Sequence, residues 1–271
     1  MRTSSAPDME AAFEALRGAL GRERLRLLAA VQYFTRLRVP GRTGHAQETL
    51  EGAIRYLPVV GAFVGAAGAA IYLLVRAVLP AGVAVALSMA ATVIITGALH
   101  EDGLADAADG LGGGLSRERV LAIMKDPHVG AFGATSLTLA LLLKFNLLLA
   151  VPTSRIPAML IAAHALSRLA AVGVLMTLPY VRDEERSRAK PLVTGVSAAS
   201  LVVAVVTGLA PVALVGKPAL TGAGCVVVAS LLWRAYLQGR LGGYSGDCLG
   251  AAQQLSEIAF YVGADASAFP H

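Results

Sequence analysis

The sequence predicts an all-α polytopic membrane bundle of about six to seven transmembrane helices, and three observations carry that reading. Of the 271 residues, 56% are hydrophobic and 15% charged, at a mean hydropathy of +0.65, a balance that one soluble core could hardly hide. Several continuous apolar runs approach the roughly 20 residues that a helix needs to cross the hydrocarbon. Aromatics stand at 6% against 29 glycines, which suits helices packed through small residues in lipid. The period-2 alternation of a β-barrel is absent.

Taken in order, residues 8 to 30 place apolar residues at helical spacing among charges and predict an amphipathic helix near the membrane surface. Residues 1–30 are therefore an interfacial extension, and 31–271 a single membrane-embedded domain. Six spans are expected at about 57–79, 81–99, 132–151, 156–178, 193–215 and 219–236. Pro80 breaks the first pair into a hairpin, and Pro152 with Pro157 the middle pair. Residues 237–271 are either a seventh span or a surface helix. No cleavable signal peptide is expected, because the first apolar run starts far beyond Met1.

The side richer in Lys and Arg stays in the cytoplasm. Residues 1–55 hold nine arginines, 100–131 hold Arg117, Arg119 and Lys125, and the 180–192 loop holds four basic residues, against Arg155 and Lys217 in the opposite loops. Both termini and every polar motif are thus expected on the cytoplasmic face of the cell inner membrane. The net charge of +5 belongs to that asymmetry, and no nucleic-acid partner is expected. Cys225 and Cys248 stand far apart and suggest neither a disulfide framework nor a thiolate site.

The chemistry concentrates in His100-Glu-Asp-Gly-Leu-Ala-Asp-Ala-Ala-Asp-Gly-Leu-Gly-Gly-Gly114. Asp102, Asp106 and Asp109 share one face if the segment is helical. Three stacked carboxylates at a membrane boundary repel one another unless a divalent cation neutralises them. Hard oxygen ligands favour Mg²⁺, with Mn²⁺ as a substitute, over zinc. The other reading is a solvated acidic turn. The glycines at 110 and 112–114 are expected to loosen the helix, so that the backbone of Gly113 and Gly114 either offers N–H groups to an anion or forms a plain flexible loop.

Downstream, Lys125 is either a point-charge contact for phosphate or a positive-inside anchor. Asp126 either caps a helix that starts at Pro127 or joins the metal shell. Asp247, in Leu241-Gly-Gly-Tyr-Ser-Gly-Asp-Cys-Leu-Gly-Ala251, either completes the metal shell or takes a proton from a substrate hydroxyl. His100 is an interfacial side chain or a substrate hydrogen bond. His164 and Arg168 lie one turn apart inside a span, with Arg168 the more functional of the two. Lys144, in mid-span, has no assignment.

Several separated motifs resemble the cobalamin synthase family, also called adenosylcobinamide-GDP ribazoletransferase. They are Gln32-Tyr-Phe-Thr-Arg-Leu-Arg-Val-Pro40, Leu57-Pro-Val-Val-Gly61 with Gly65, and Thr96-Gly-Ala-Leu-His-Glu-Asp-Gly-Leu-Ala-Asp-Ala-Ala-Asp-Gly110. Ile123-Met-Lys-Asp126 with Gly130 and Gly133, Ser167-Arg168, Tyr180-Val-Arg182 and Gly242-Gly-Tyr-Ser-Gly-Asp247 extend the likeness. Arg38 and Ser245 depart from the family's usual proline and threonine, without touching a proposed ligand. The resemblance implies a magnesium transferase that joins adenosylcobinamide-GDP to α-ribazole or its 5′-phosphate and releases GMP. It implies that Asp102, Asp106 and Asp109 hold the metal, that Asp106, Asp109 and Asp247 are catalytic, and that Lys125, Arg168 and Arg182 contact phosphate. Membrane lipids are expected partners, as is a homo-oligomer or an association with other enzymes of nucleotide-loop assembly. Two other classes compete. A CDP-alcohol phosphotransferase requires D-G-x-x-A-R, whereas Ala105 is followed by Asp106. An ion-coupled transporter would place its carboxylates near the bilayer midplane.

Overall fold

The computed structural model describes residues 6–39, 47–181 and 197–266. The elements are α1 (Ala6–Phe34), α2 (Gln47–Ala53), a 3₁₀ turn (Ile54–Tyr56) leading into α3 (Leu57–Arg76), α4 (Ala81–Thr96), α5 (Leu99–Gly113), α6 (Arg117–Ile123), α7 (Ala131–Ala150), α8 (Ile156–Thr177), α9 (Ala198–Leu209) with a 3₁₀ extension (Ala210–Leu214), α10 (Pro218–Leu241) and α11 (Gly246–Ala266). The expected all-helical fold is thus observed, and the described residues contain one isolated β-bridge, Tyr180 to Tyr244.

Among the described residues, four helices are long and apolar enough to cross a membrane: Glu51–Arg76, Ala131–Ala150, Ile156–Thr177 and Pro218–Leu241. Two of the six expected spans differ. At 16 residues, α4 rises only about 24 Å, short of the ~30 Å hydrocarbon; it passes only together with α5, from which it is bent by 86°. The fifth stops being α-helical at Leu209, where Ala210–Leu214 tightens into a 3₁₀ turn with proline in its first positions, because proline offers no N–H to continue the ladder.

Packing sorts the helices into centre and rim. In its most apolar stretch α8 is 72% buried and α10 only 17%, so α8 is central and α10 lies at the rim with its apolar side chains turned outward. A Cβ on Gly65 would stand 2.5 Å from the Leu160 carbonyl, so that glycine lets α3 lie backbone to backbone on α8. The segment left open between a span and a surface helix is α11, a 21-residue helix packed against α5, α7, α8 and α10. Its Asp247, Glu257 and Asp265 keep it from reading as an apolar span. The structure spends Glu257 inside the bundle.

Candidate active site

The site begins at an elbow. Gly97 (φ 68°) and Ala98 (φ 59°) are both left-handed, which ends α4 and redirects the chain into α5. An L residue in that region costs about 1–2 kcal/mol, so the bend needs support. Arg36 supplies part of it: its amide donates to the Ile95 carbonyl at 2.7 Å, and its side chain lies over Gly97. Arg36 of the first sequence motif therefore braces the bend that leads into the acidic helix rather than a distant surface.

Within α5 the three aspartates share a face, as their spacing predicts, but their surroundings separate them. Asp102 is exposed and Asp106 half-buried. Asp109 is buried, and both its oxygens are taken: Oδ2 accepts from the Gly130 amide at 2.7 Å and Oδ1 from the Gly133 amide at 2.8 Å. It caps the N-terminus of α7, where free N–H groups and the helix dipole favour a carboxylate. Cβ atoms on Gly130 and Gly133 would collide with that carboxylate, which gives both glycines a reason. Asp126, expected as a cap for a helix starting at Pro127, does not serve α7, which starts at Ala131. Its Oδ1 accepts from the His128 amide at 3.0 Å and lies 2.7 Å from His128 Nδ1.

Asp247 arrives from the other end of the chain. Tyr244 donates its amide to the Pro179 carbonyl at 2.9 Å and accepts from the Val181 amide at 3.0 Å, so the 242–247 and 180–181 motifs are stitched together. The first turn of α11 then lies against α5. A Cβ on Gly103 would stand 3.0 Å from the Asp247 carbonyl and 3.1 Å from the Gly250 Cα, a backbone-to-backbone approach. The expected meeting of the two polar clusters is thereby observed, with the N-terminal, positive end of α11 beside the acidic helix. Burial pushes the Tyr244 phenol up to about 12, with Tyr180 adding to the effect.

Beneath this face lies a buried polar network that the sequence reading missed. Lys144 Nζ donates to Gln254 Oε1 at 2.9 Å and lies 3.4 Å from Glu257 Oε1. Gln254 Nε2 donates to Glu101 Oε1 at 2.8 Å, and Gln253 Nε2 to Glu257 Oε2 at 2.8 Å. Tyr261 donates to Glu257 at 3.3 Å, and His164 Nε2 lies 3.7 Å from the same carboxylate. Arg168, 1% exposed, donates to the His164 carbonyl at 2.9 Å. The two cations and two carboxylates offset one another in a medium where a lone charge would be costly. His100 Nε2, Glu101 Oε2 and Arg168 Nε are buried without a partner among the described residues. Lys144 thereby gains the assignment it lacked. The available signal was Gln253, Gln254 and Glu257, three polar side chains within one turn of a largely apolar helix.

The remaining candidates fall apart from this cluster. The helix does not loosen at its glycines: α5 runs to Gly113, and the Gly114 amide donates to Gly110 at 2.9 Å. A helix C-terminus presents carbonyls, not amides, and Arg240 covers those of Leu111 and Gly114 at 3.0 and 2.7 Å. An anion at Gly113 and Gly114 thus has no backbone donors waiting for it. Lys125 is exposed on the turn after α6. Arg182 lies outside the described residues.

Among the described residues no group of three His, Cys, Asp or Glu converges as a metal cage. Asp102 and Asp106 nevertheless suit a hard cation of one kind, because Mg²⁺ keeps several waters and is commonly bound by one or two carboxylates plus substrate phosphates.

An acidic helix bent off a short span, held from below by buried ion pairs and faced by the first turn of another helix, defines a polytopic helical membrane protein with a polar site at one end of the bundle. The family model described as cobalamin-5-phosphate synthase matches residues 26–264, and the chain belongs to that family. It is 47% identical over 237 residues to a protein of Ralstonia pickettii, covering 86% of this chain and 91% of that one. It is 46% identical to one of Leptothrix cholodnii, covering 86% and 92%, and 41% identical to one of Vibrio cholerae, covering 87% and 91%. All three relatives are named adenosylcobinamide-GDP ribazoletransferase. Neither the lipid phosphotransferase nor the transporter reading is favoured. No solved structure matches the chain.

Proposed function

We propose that this chain transfers the adenosylcobinamide-phosphate group of adenosylcobinamide-GDP to a hydroxyl of α-ribazole or its 5′-phosphate, releasing GMP in nucleotide-loop assembly of cobalamin. The observation that carries the reading is the face of α5 met by the first turn of α11, on which Asp102 is exposed and Asp106 half-buried while Asp109 and Glu101 hold the helix in place. Family membership supplies the substrates.

In this scheme the ribazole oxygen forms the new bond to the cobinamide-linked phosphorus, the bond to GMP breaks, and GMP leaves with the electron pair. Asp102 and Asp106 would hold Mg²⁺, with Mn²⁺ as a substitute; bound there with the diphosphate, the ion would neutralise charge that develops on its oxygens. Asp247 stands on the facing turn, where it orients the attacking hydroxyl and takes its proton. The N-terminal end of α11 adds a fixed positive potential toward the phosphates, and Lys125 adds a mobile one. Asp109, His100 and Arg168 act as positioning residues, because each is buried behind the open face. The basic-residue asymmetry of the loops supports placing this face in the cytoplasm, at the inner membrane.

The test is GMP release from adenosylcobinamide-GDP plus α-ribazole 5′-phosphate by the detergent-purified protein, with and without Mg²⁺, beside Asp106→Ala. Release that needs both metal and ribazole and falls by about 100- to 1,000-fold in the variant is the expected result. No release from folded, lipid-supplemented protein would remove the proposal.

A further inference from the structure

A second feature lies on the outer wall of the bundle, away from α5. Between α8 and α10, Leu169, Gly173 and Thr177 face Val226, Ser230 and Arg234 across a groove of about 310 Å³. Its lining is apolar but for the end where Thr177, Ser230 and Arg234 stand. The groove opens outward, since Val227 and Leu231 on its wall are 58% and 60% exposed.

The polar end has a recognisable level in the membrane. Trp233 and Tyr236 pair there, ring centres 5.9 Å apart, and aromatic side chains of this kind gather at the headgroup boundary. Arg234 donates to the Thr177 carbonyl at 3.3 Å and takes part in none of the ion pairs among the described residues. A guanidinium at that depth has donors to spare, and the group that answers it with complementary charge and geometry is a phosphate.

We propose that this groove is a binding site for one phospholipid, with an acyl chain along α8 and α10 and its headgroup phosphate on Arg234. The groove supplies apolar surface that would otherwise be poorly filled, and Arg234 supplies polarity that fixes the lipid's direction. Gly173 supplies room, because a Cβ there would meet nothing within 4 Å. A larger side chain at 173 therefore fills the groove without disturbing the helix, and glycine is a poor helix former in any case.

Trp233 is the single tryptophan of the chain; it adjoins Arg234 in sequence while its indole N–H donates to the Cys248 carbonyl at 3.0 Å, so it reports on acyl chains that come close to this end of the groove. Full-length, delipidated protein in detergent is titrated with phosphatidylglycerol carrying brominated acyl chains, and Trp233 quenching is followed. Saturable quenching at one lipid per chain is expected. It should weaken by at least about tenfold in Arg234→Gln, where a charge-assisted contact is lost, and by a similar factor in Gly173→Leu, where the chain's space is filled. Glycerol 3-phosphate should not compete. Equal quenching curves in wild type and both variants would overturn the proposal, as ordinary annular lipid would then explain the signal. Displacement by glycerol 3-phosphate would overturn it too, and so would a dimer on this face that Gly173→Leu dissociates while quenching stays unchanged. Elution of both variants as wild type confirms that they remain folded, and Arg234 and Gly173 lie outside the machinery proposed above.

Discussion

The amide of Gly133 donates to the Asp109 carboxylate at 2.8 Å, joining the end of the acidic helix to the start of the span after it. The Asp109→Ala variant leaves two amides of α7 without an acceptor, at roughly 1–3 kcal/mol each. We expect a clear fall in melting temperature, whereas Asp102→Ala, on the open face, should leave melting unchanged and abolish turnover. Differential scanning fluorimetry beside the GMP assay separates the two. Equal effects on melting would refute the division of roles.

Lys144 and Glu257 form the second hold on α5, through Gln254 and Glu101. Lys144→Met alone strands a buried carboxylate, and such breakage typically costs about 3–5 kcal/mol. The pair Lys144→Met with Glu257→Gln should recover much of that stability, as measured by chemical denaturation in detergent. A double variant no better than the single one would show that the two charges are not coupled.

Gly103 sets the distance between the two halves of the site. An added Cβ would stand 3.0–3.2 Å from the backbone of Asp247 and Gly250, so Gly103→Leu must push α11 away from α5. Turnover is expected to drop by about 100-fold, as misplacement by an ångström can do, with far smaller change in the helical signal by circular dichroism. Full activity would mean that Asp247 has no part in the reaction.

The turn at Asp126 carries a pH signature. Hydrogen bonds from the His128 ring and then from its amide hold the Asp126 carboxyl below its ordinary value. A depressed carboxylate contributes stability above its unfolded pKa and loses it as pH falls through the lower, folded one. Exchange protection of the His128 amide should therefore persist to pH values below about 4 and then disappear. Asp126→Asn should remove the pH dependence.

Much of this was legible in the chain itself. Continuous apolar runs and abundant glycine specified a helical membrane protein, because only helices and closed barrels satisfy every backbone group in lipid. The spacing of Asp102, Asp106 and Asp109 specified a shared face, because helical geometry is local. What only tertiary structure decided was how deeply each of those carboxylates is buried, Asp102 exposed, Asp106 half-buried and Asp109 buried. Asp109 is closed by the amides of Gly130 and Gly133, 21 and 24 residues later, and Glu101 is tied to Gln254, 153 residues away. The left-handed Ala98 was equally unreadable, and for Lys144 the polar side chains of α11 gave a signal but not the pairing. Periodicity reports which side of a helix is apolar, but partners brought together across the chain decide whether a polar side chain is buried in holding the fold or stands at the surface of the site.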